Sequence, residues 1–367
     1  MSAARAQSTT QPLPLRKTKN VVLIVTDGLR WEDVFTGADA SLMNVKDGGI
    51  WADSKLLHKE YFDTDPVQRR QMLMPFLWRT VAKQGQIFGN QHLGSVAHVT
   101  NGMAFSYPGY NEMLTGHPDP KINSNEFGTN PNLTVFEWLN RMPEFSGKVA
   151  VFGTWNVFNG IFNEKRSNLV MQAGWELRPT AAPATPRSEL LTRLFQTTTR
   201  LDDDDTYDSF LQLPLLDYIH EAHPQVLFVG YGETDNWAHS GRYDLVLESC
   251  KQFDGFVKEL WNTMQAMPDY HDTTTFIITT DHGRGHGLTQ WKEHGIEYKG
   301  SENIWIAVMG PDTQPLGERS HSTPVTQSQI ASTVAALLGK DFKADQPVVA
   351  PPIADVIGGE YKTPKQP

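Results

Sequence analysis

The sequence has a single cysteine, Cys250, so an internal disulfide and a cysteine-built metal site are both excluded. It has no run approaching the roughly 20 apolar residues that a membrane-crossing helix needs, so no membrane span is expected. It also lacks an excess of basic charge: 42 Asp and Glu against 32 Lys and Arg leave a formal charge of −10. That balance argues against gripping a nucleic-acid duplex by its phosphates. It also obliges any site for an anionic ligand to be locally electropositive, and bound metal ions are one source of such a field. No internal repeat is present. What remains is 39% hydrophobic and 20% charged over 367 residues, the make-up of a globular enzyme whose core can hold a buried charged site.

Apolar, β-branched runs recur along the chain at residues 21–25 (VVLIV), 148–152 (KVAVF), 226–230 (VLFVG), 275–279 (TFIIT) and 304–309 (IWIAVM). Such runs predict buried parallel strands. Helical patterns lie between them at 134–140, 211–221, 243–264 and 326–338. The alternation predicts an α/β fold, a mostly parallel central sheet with helices on both faces and the active site at the C-terminal ends of the strands. Residues 1–20 read as a polar leader, in which Ala4-Arg5-Ala6 is either a signal-peptidase remnant, implying a periplasmic or secreted protein, or plain leader. Residues 21–345 read as one domain with insertions around 36–75 and 176–210, and residues 346–367 as a Pro-rich tail. The four-Asp run at 202–205 reads as a solvated loop, because it lacks the alternating ligands and glycine turn of a calcium loop.

Four segments carry candidate chemistry, and each also has an ordinary reading. Asp281-His282 directly follows the run TFIIT; it is either a metal-ligand pair or a loop with a helix cap. Asp235 and His239 stand one helical turn apart after VLFVG and can face one ion, or hydrogen-bond to each other. Asp27 closes the first strand, a place often taken by a helix cap. Ser106 precedes a helical segment, Asn111 to Leu114, that ends at Gly116; it is an N-cap or a nucleophile aided by the helix dipole and a metal.

In this order and context the segments resemble the alkaline phosphatase superfamily, from about Val21 to Leu338. The resemblance implies a metal-dependent phosphoric ester hydrolase acting through a phosphoserine. One ion would be held by Asp27, Ser106, Asp281 and His282. The other would be held by Asp235, His239 and a later histidine, for which His294 fits better than His286 or His321 because it precedes the strand ending at Gly310-Pro311. Mixed His and Asp ligation points to zinc, with manganese as the alternative. The implied substrate is a small-molecule phosphate ester, with a phosphomonoesterase favoured over a phosphodiesterase or nucleotide pyrophosphatase. A sulfatase is disfavoured because Ser106-Tyr107-Pro108-Gly109-Tyr110 has tyrosine where formylglycine enzymes need arginine, and a phosphosugar mutase because there is little room for its cap domain. Asn125, with Asn123 as fallback, and the cations Lys165 and Arg166 are the candidate substrate-binding residues, with Arg30 as a further cation.

Overall fold

A computed structural model describes residues 16–178 and 184–358. Ala4-Arg5-Ala6, most of the leader and the end of the tail lie outside the described residues. The strands are β1 (Asn20–Thr26), β2 (Gln86–Phe88), β3 (Ala97–His98), β4 (Val149–Gly153), β5 (Val170–Ala173), β6 (Val226–Tyr231), β7 (Thr274–Thr279), β8 (Ile306–Met309), β9 (Gly317–Glu318) and β10 (Val325–Thr326). Eight of them form one sheet in the order β5-β4-β6-β1-β7-β8-β2-β9, and β3 pairs with β10 beside it. The five strands from β5 to β7 run parallel, β8 is antiparallel to β7, and β2 is antiparallel to β8. The expected α/β architecture is therefore present.

Alternation along β1 shows why the run VVLIV is apolar throughout. Val22 and Ile24 enter a core shared with the helices Asp208–Ala222 and Tyr243–Gln265. Val21, Leu23 and Val25 enter the opposite core, beneath the helices Ser106–Thr115, Val135–Asn140 and Gln329–Leu337. A strand covered on both faces has no polar side to show.

Several boundaries differ from the sequence expectation for local reasons. The helix expected from residue 326 begins at Gln329, because Val325 and Thr326 pair with β3 and the Gln329 side chain accepts from the Thr326 N–H at 2.9 Å. The segment 36–75, which shows no clear period, folds as short helices that include Ser54–Tyr61 and Pro66–Leu73, each capped by an aspartate side chain, Asp53 and Asp65. Strands β2, β3, β5, β9 and β10 are absent from the sequence expectation, being no more than four residues long.

Register fixes where the chemistry gathers. Val25 of β1 lies opposite Gly230 of β6 and Thr279 of β7, so three adjacent strands end level with one another. The residues that follow them carry Asp27, Asp235 and Asp281.

Candidate metal centre and active site

The turn after β1 places Asp27 against the chain that follows β7. Gly28 there has φ +58°, and a Cβ on it would lie 2.5 Å from Asp235 Oδ1. Only glycine permits both the backbone conformation and that approach. The Gly28 N–H donates to Asp281 Oδ1 at 3.0 Å, and the Tyr110 hydroxyl donates to Asp27 Oδ2 at 2.9 Å. The other oxygens, Asp27 Oδ1 and Asp281 Oδ2, are buried with no hydrogen-bond partner. An orphaned buried carboxylate oxygen is costly unless a cation sits on it.

His282 completes this group. Its Nδ1 faces the Gly283 carbonyl at 2.9 Å, which directs Nε2 at the carboxylates, 3.3 Å from Asp27 Oδ1 and 3.4 Å from Asp281 Oδ2. Backbone anchoring of one imidazole nitrogen is how metal-binding histidines are oriented. Burial opposes charge on His282, but Asp281 and Asp27 outweigh it and raise the imidazole to about 9. Burial, reinforced by Asp27, raises Asp281 to about 7. Ser106 Oγ lies 3.3 Å from the same His282 Nε2.

Ser106 is the first residue of the helix Ser106–Thr115, with Phe105 at the cap, so its hydroxyl makes no capping bond. The cap reading of this serine is therefore not the one the fold adopts, and the helix is longer than the Asn111–Leu114 segment expected. Two features press it into place. Ala104 carries φ +53°, a left-handed conformation that costs a non-glycine residue about 1 kcal/mol. Gly109 lets the helix run against β7's continuation, since a Cβ there would meet the Asp281 carbonyl at 2.5 Å. Buried Glu112 accepts from Thr100 N and Asn101 Nδ2 at 2.9 Å and from the Ser328 hydroxyl at 2.6 Å, tying down the loop ahead of Ser106.

The second group sits one turn into the helix Glu233–His239. Asp235 Oδ2 is 3.3 Å from His239 Nε2, and His294 Nε2 is 2.9 Å from His239 Nε2 and 3.8 Å from Asp235 Oδ1. The His282 and His294 rings stack with centroids 3.9 Å apart. Burial, together with the neighbouring His282, lowers His239, and the same causes push His294 far below its ordinary range. A neutral imidazole presents the lone pair that a metal needs. The donor atoms of Asp27, Asp281 and His282 lie within 4.8 Å of one another, as do those of Asp235, His282 and His294. Two divalent ions side by side fit these residues.

All seven expected ligands and Asn125 thus converge on one place. Asn125 accepts from the Tyr107 N–H at 2.9 Å and lines the cavity beside Ser106, which measures about 210 Å³. His286 instead pairs with Glu32 at 2.7 Å, and His321 lies beside Gly94. Lys165 and Arg166 do not line the cavity. Arg166 is spent on buried Glu137 at 2.8 Å and on the carbonyls of Pro131 and Asn132 at 2.9 and 2.6 Å. Arg30 is buried against Asp33 at 2.8 Å.

Two site residues escaped the sequence reading. Arg284 is buried two residues after His282; it donates to the carbonyls of Gly28 (2.9 Å) and Lys292 (2.6 Å) and pairs with Asp235. It joins three ligand-bearing segments, and its position directly after Asp281-His282-Gly283 is the signal that could have found it. Asp205, last of the four-Asp run, lines the cavity, while Asp202, Asp203 and Asp204 are exposed. The solvated-loop expectation fails at that residue because the segment is hydrogen-bonded to the chain after β4: Thr206 N donates to the Thr154 carbonyl at 2.9 Å.

The sheet is that of the alkaline-phosphatase-like fold, and the two paired groups at its strand ends are candidate sites for divalent metal ions. The model of the Metalloenzyme superfamily matches residues 203–341, which contain five of the seven expected ligands. Among solved structures, the alkaline phosphatase PafA aligns at TM-score 0.54 and 12% identity, covering 95% of this chain and 100% of its own. The lipoteichoic acid synthase LtaP from Listeria monocytogenes aligns at 0.56 and 12%, covering 92% and 76% of the two chains. A candidate sulfatase from Bacteroides thetaiotaomicron aligns at 0.57 and 13%, covering 92% and 72%. No curated protein matches the sequence. The chain thus has the alkaline-phosphatase-like fold, and its residues 203–341 are similar to the Metalloenzyme superfamily.

The ligand assignment makes a direct prediction. His294→Ala is expected to lose one of two bound ions per chain, whereas His321→Ala should retain both. Metal analysis of the purified variants decides this, and the reverse pattern would show that the ligand set is wrong.

Proposed function

We propose that the protein hydrolyses singly charged phosphate esters, phosphodiesters above all, using Ser106 as nucleophile. The observation that carries this reading is the charge of the cavity. Among the described residues no lysine or arginine lines it, and Asp205 adds a carboxyl group beyond the ion-binding set. A phosphomonoester brings nearly two negative charges and gains from a cationic clamp, each charge-assisted hydrogen bond being worth roughly 1.5–3 kcal/mol. With Arg166 committed to Glu137 and Lys165 off the cavity, that gain is missing, so the geometry favours the diester over the monoester that the sequence suggested.

Asp27, Asp281, His282 and Ser106 would hold one ion, and Asp235, His239 and His294 the other. Zinc suits this donor set. Bound there, the ions would supply Lewis acidity and lower the pKa of a hydroxyl or water. The remaining work falls to the chain. Ser106 Oγ forms a bond to phosphorus as the ester oxygen departs, and water then cleaves the phosphoserine. The helix N-terminus at Ser106 presents its dipole to the phosphoryl oxygens. Asn125, which lines the cavity and whose Oδ1 accepts from Tyr107 N, would offer its Nδ2 as a donor to a phosphoryl oxygen. Tyr110 fixes Asp27.

A sulfate ester is also singly charged, and a sulfatase is among the structural neighbours, so the same cavity admits that reading. The missing arginine four residues after Ser106 counts against it. Initial rates on nitrophenyl phosphate, methyl nitrophenyl phosphate and nitrophenyl sulfate separate the three. The diester is expected to be turned over at least tenfold faster than the monoester. Preference for the monoester would overturn the proposal, and preference for the sulfate would make the enzyme a sulfatase.

A further inference from the structure

Beside the reacting centre the cavity has a second wall that the ion-binding residues do not use. Asp205 and Trp155 face each other there across an isolated antiparallel β-bridge. Opposed residues of such a bridge put their side chains on the same face, about 5 Å apart. The bridge is well secured. Thr206 N donates to Thr154 O and Asn156 N to Asp204 O, both at 2.9 Å, and Asn156 Nδ2 donates to Asp204 Oδ1 at 2.8 Å. Asp202 Oδ1 in turn accepts from the N–H groups of Asp204 and Asp205 at 2.8 and 2.7 Å. Asp205 and Trp155 are therefore held in place before any ligand arrives. Next to them Thr154 Oγ1 is buried, lines the same cavity and has no hydrogen-bond partner.

An acidic side chain, an unsatisfied hydroxyl and a partly exposed indole make a specific combination. The carboxyl oxygens and the threonine hydroxyl accept from alcohol O–H groups. The indole face covers the C–H groups between them. A phosphoryl oxygen would be repelled by Asp205, so this wall does not bind the reacting group. We propose that Asp205, Trp155 and Thr154 form a subsite for a polyhydroxylated substituent of the ester, of the sugar or glycerol type. The proposal rests on the phosphate-ester reading above. It adds that the group beside the phosphate carries vicinal hydroxyls rather than an alkyl chain.

The test compares two symmetrical diesters as competitive inhibitors of nitrophenyl ester hydrolysis: bis-glyceryl phosphate and dipropyl phosphate. They share charge and carbon count and differ only in hydroxyls, and symmetry makes the result independent of which ester arm enters the subsite. The wild-type enzyme is expected to bind the glyceryl compound about 10- to 100-fold more tightly. Asp205→Ala and Trp155→Ala should each bring that ratio down by about tenfold, in protein that still carries two ions per chain. A ratio near one in the wild type would overturn the proposal, and so would an unchanged ratio in both variants. Loss of a third bound ion from Asp205→Ala would mark the wall as a cation site instead and equally overturn it. Repeating the comparison with glyceryl and propyl monophosphates reads the subsite independently, so it stands or falls even if the enzyme proves to prefer monoesters.

Discussion

Replacing Ser106 with alanine is expected to lower turnover by at least about 10³-fold while both ions stay bound. The substitution removes only a hydroxyl. That hydroxyl caps nothing, because Phe105 occupies the cap position, and alanine is a better helix former than serine, so the helix Ser106–Thr115 should persist. Asp27, Asp281 and His282 remain to hold the neighbouring ion. Turnover, metal content and acid-quenched phosphopeptide mapping together give the readout. A phosphoryl label on the peptide containing Ser106 in the wild type, absent from the variant, is the expected pattern. A variant within tenfold of wild-type turnover would show that water attacks directly and Ser106 is only a neighbour.

Exhaustive chelation is expected to abolish activity and to lower the unfolding temperature by roughly 5–15 °C, with zinc or manganese restoring both. A ligand present at about 1,000 times its dissociation constant stabilises the folded chain by roughly 4 kcal/mol, and two ions double that. In a chain of this size each kcal/mol is worth about 2 °C or less. The structure supplies a reason for a loss on this scale. Without the ions Asp27 Oδ1 and Asp281 Oδ2 are buried and unpartnered, and the two carboxylates face each other across His282 alone. An unchanged rate after chelation would remove the metal mechanism altogether.

The candidate ion-binding residues that gather in the fold were legible in the sequence because their signal is local. Asp27, Asp235 and Asp281 each follow closely on an apolar run, and a strand end in a parallel sheet is where ligands bind. His239 and His282 are tied to those positions by helical spacing or adjacency. His294 was reached through the next strand rather than through any spacing of its own. The substrate-side residues were not legible, because their roles are set by partners far along the chain. Arg166 looked free for a ligand, yet Glu137, 29 residues earlier, has claimed it. Asp205 looked like one of four solvated acids, and only the bridge to Trp155 brings it inward. The missed strands share that limit: β2 has three residues, and its place is set by pairing with β8, some 220 residues later. Such pairings leave no periodicity to read.

The position of β1 has a consequence for the chain during its synthesis. The strand is made first among those of the large sheet, but both of its neighbours arrive late: β6 begins at Val226 and β7 at Thr274. At roughly 5–20 residues per second, the ribosome needs on the order of 10–50 s to deliver them. Until β6 is made VVLIV has no strand on either edge, and until β7 is made one edge stays open, an apolar segment of the kind that recruits holding chaperones or self-associates. The wait ends in one event. Closing β7 against β1 seats the last of the central strands and brings Asp281 up to Asp27, so a chain cut short before about residue 280 would lack the sheet's centre and its first ion-binding group alike.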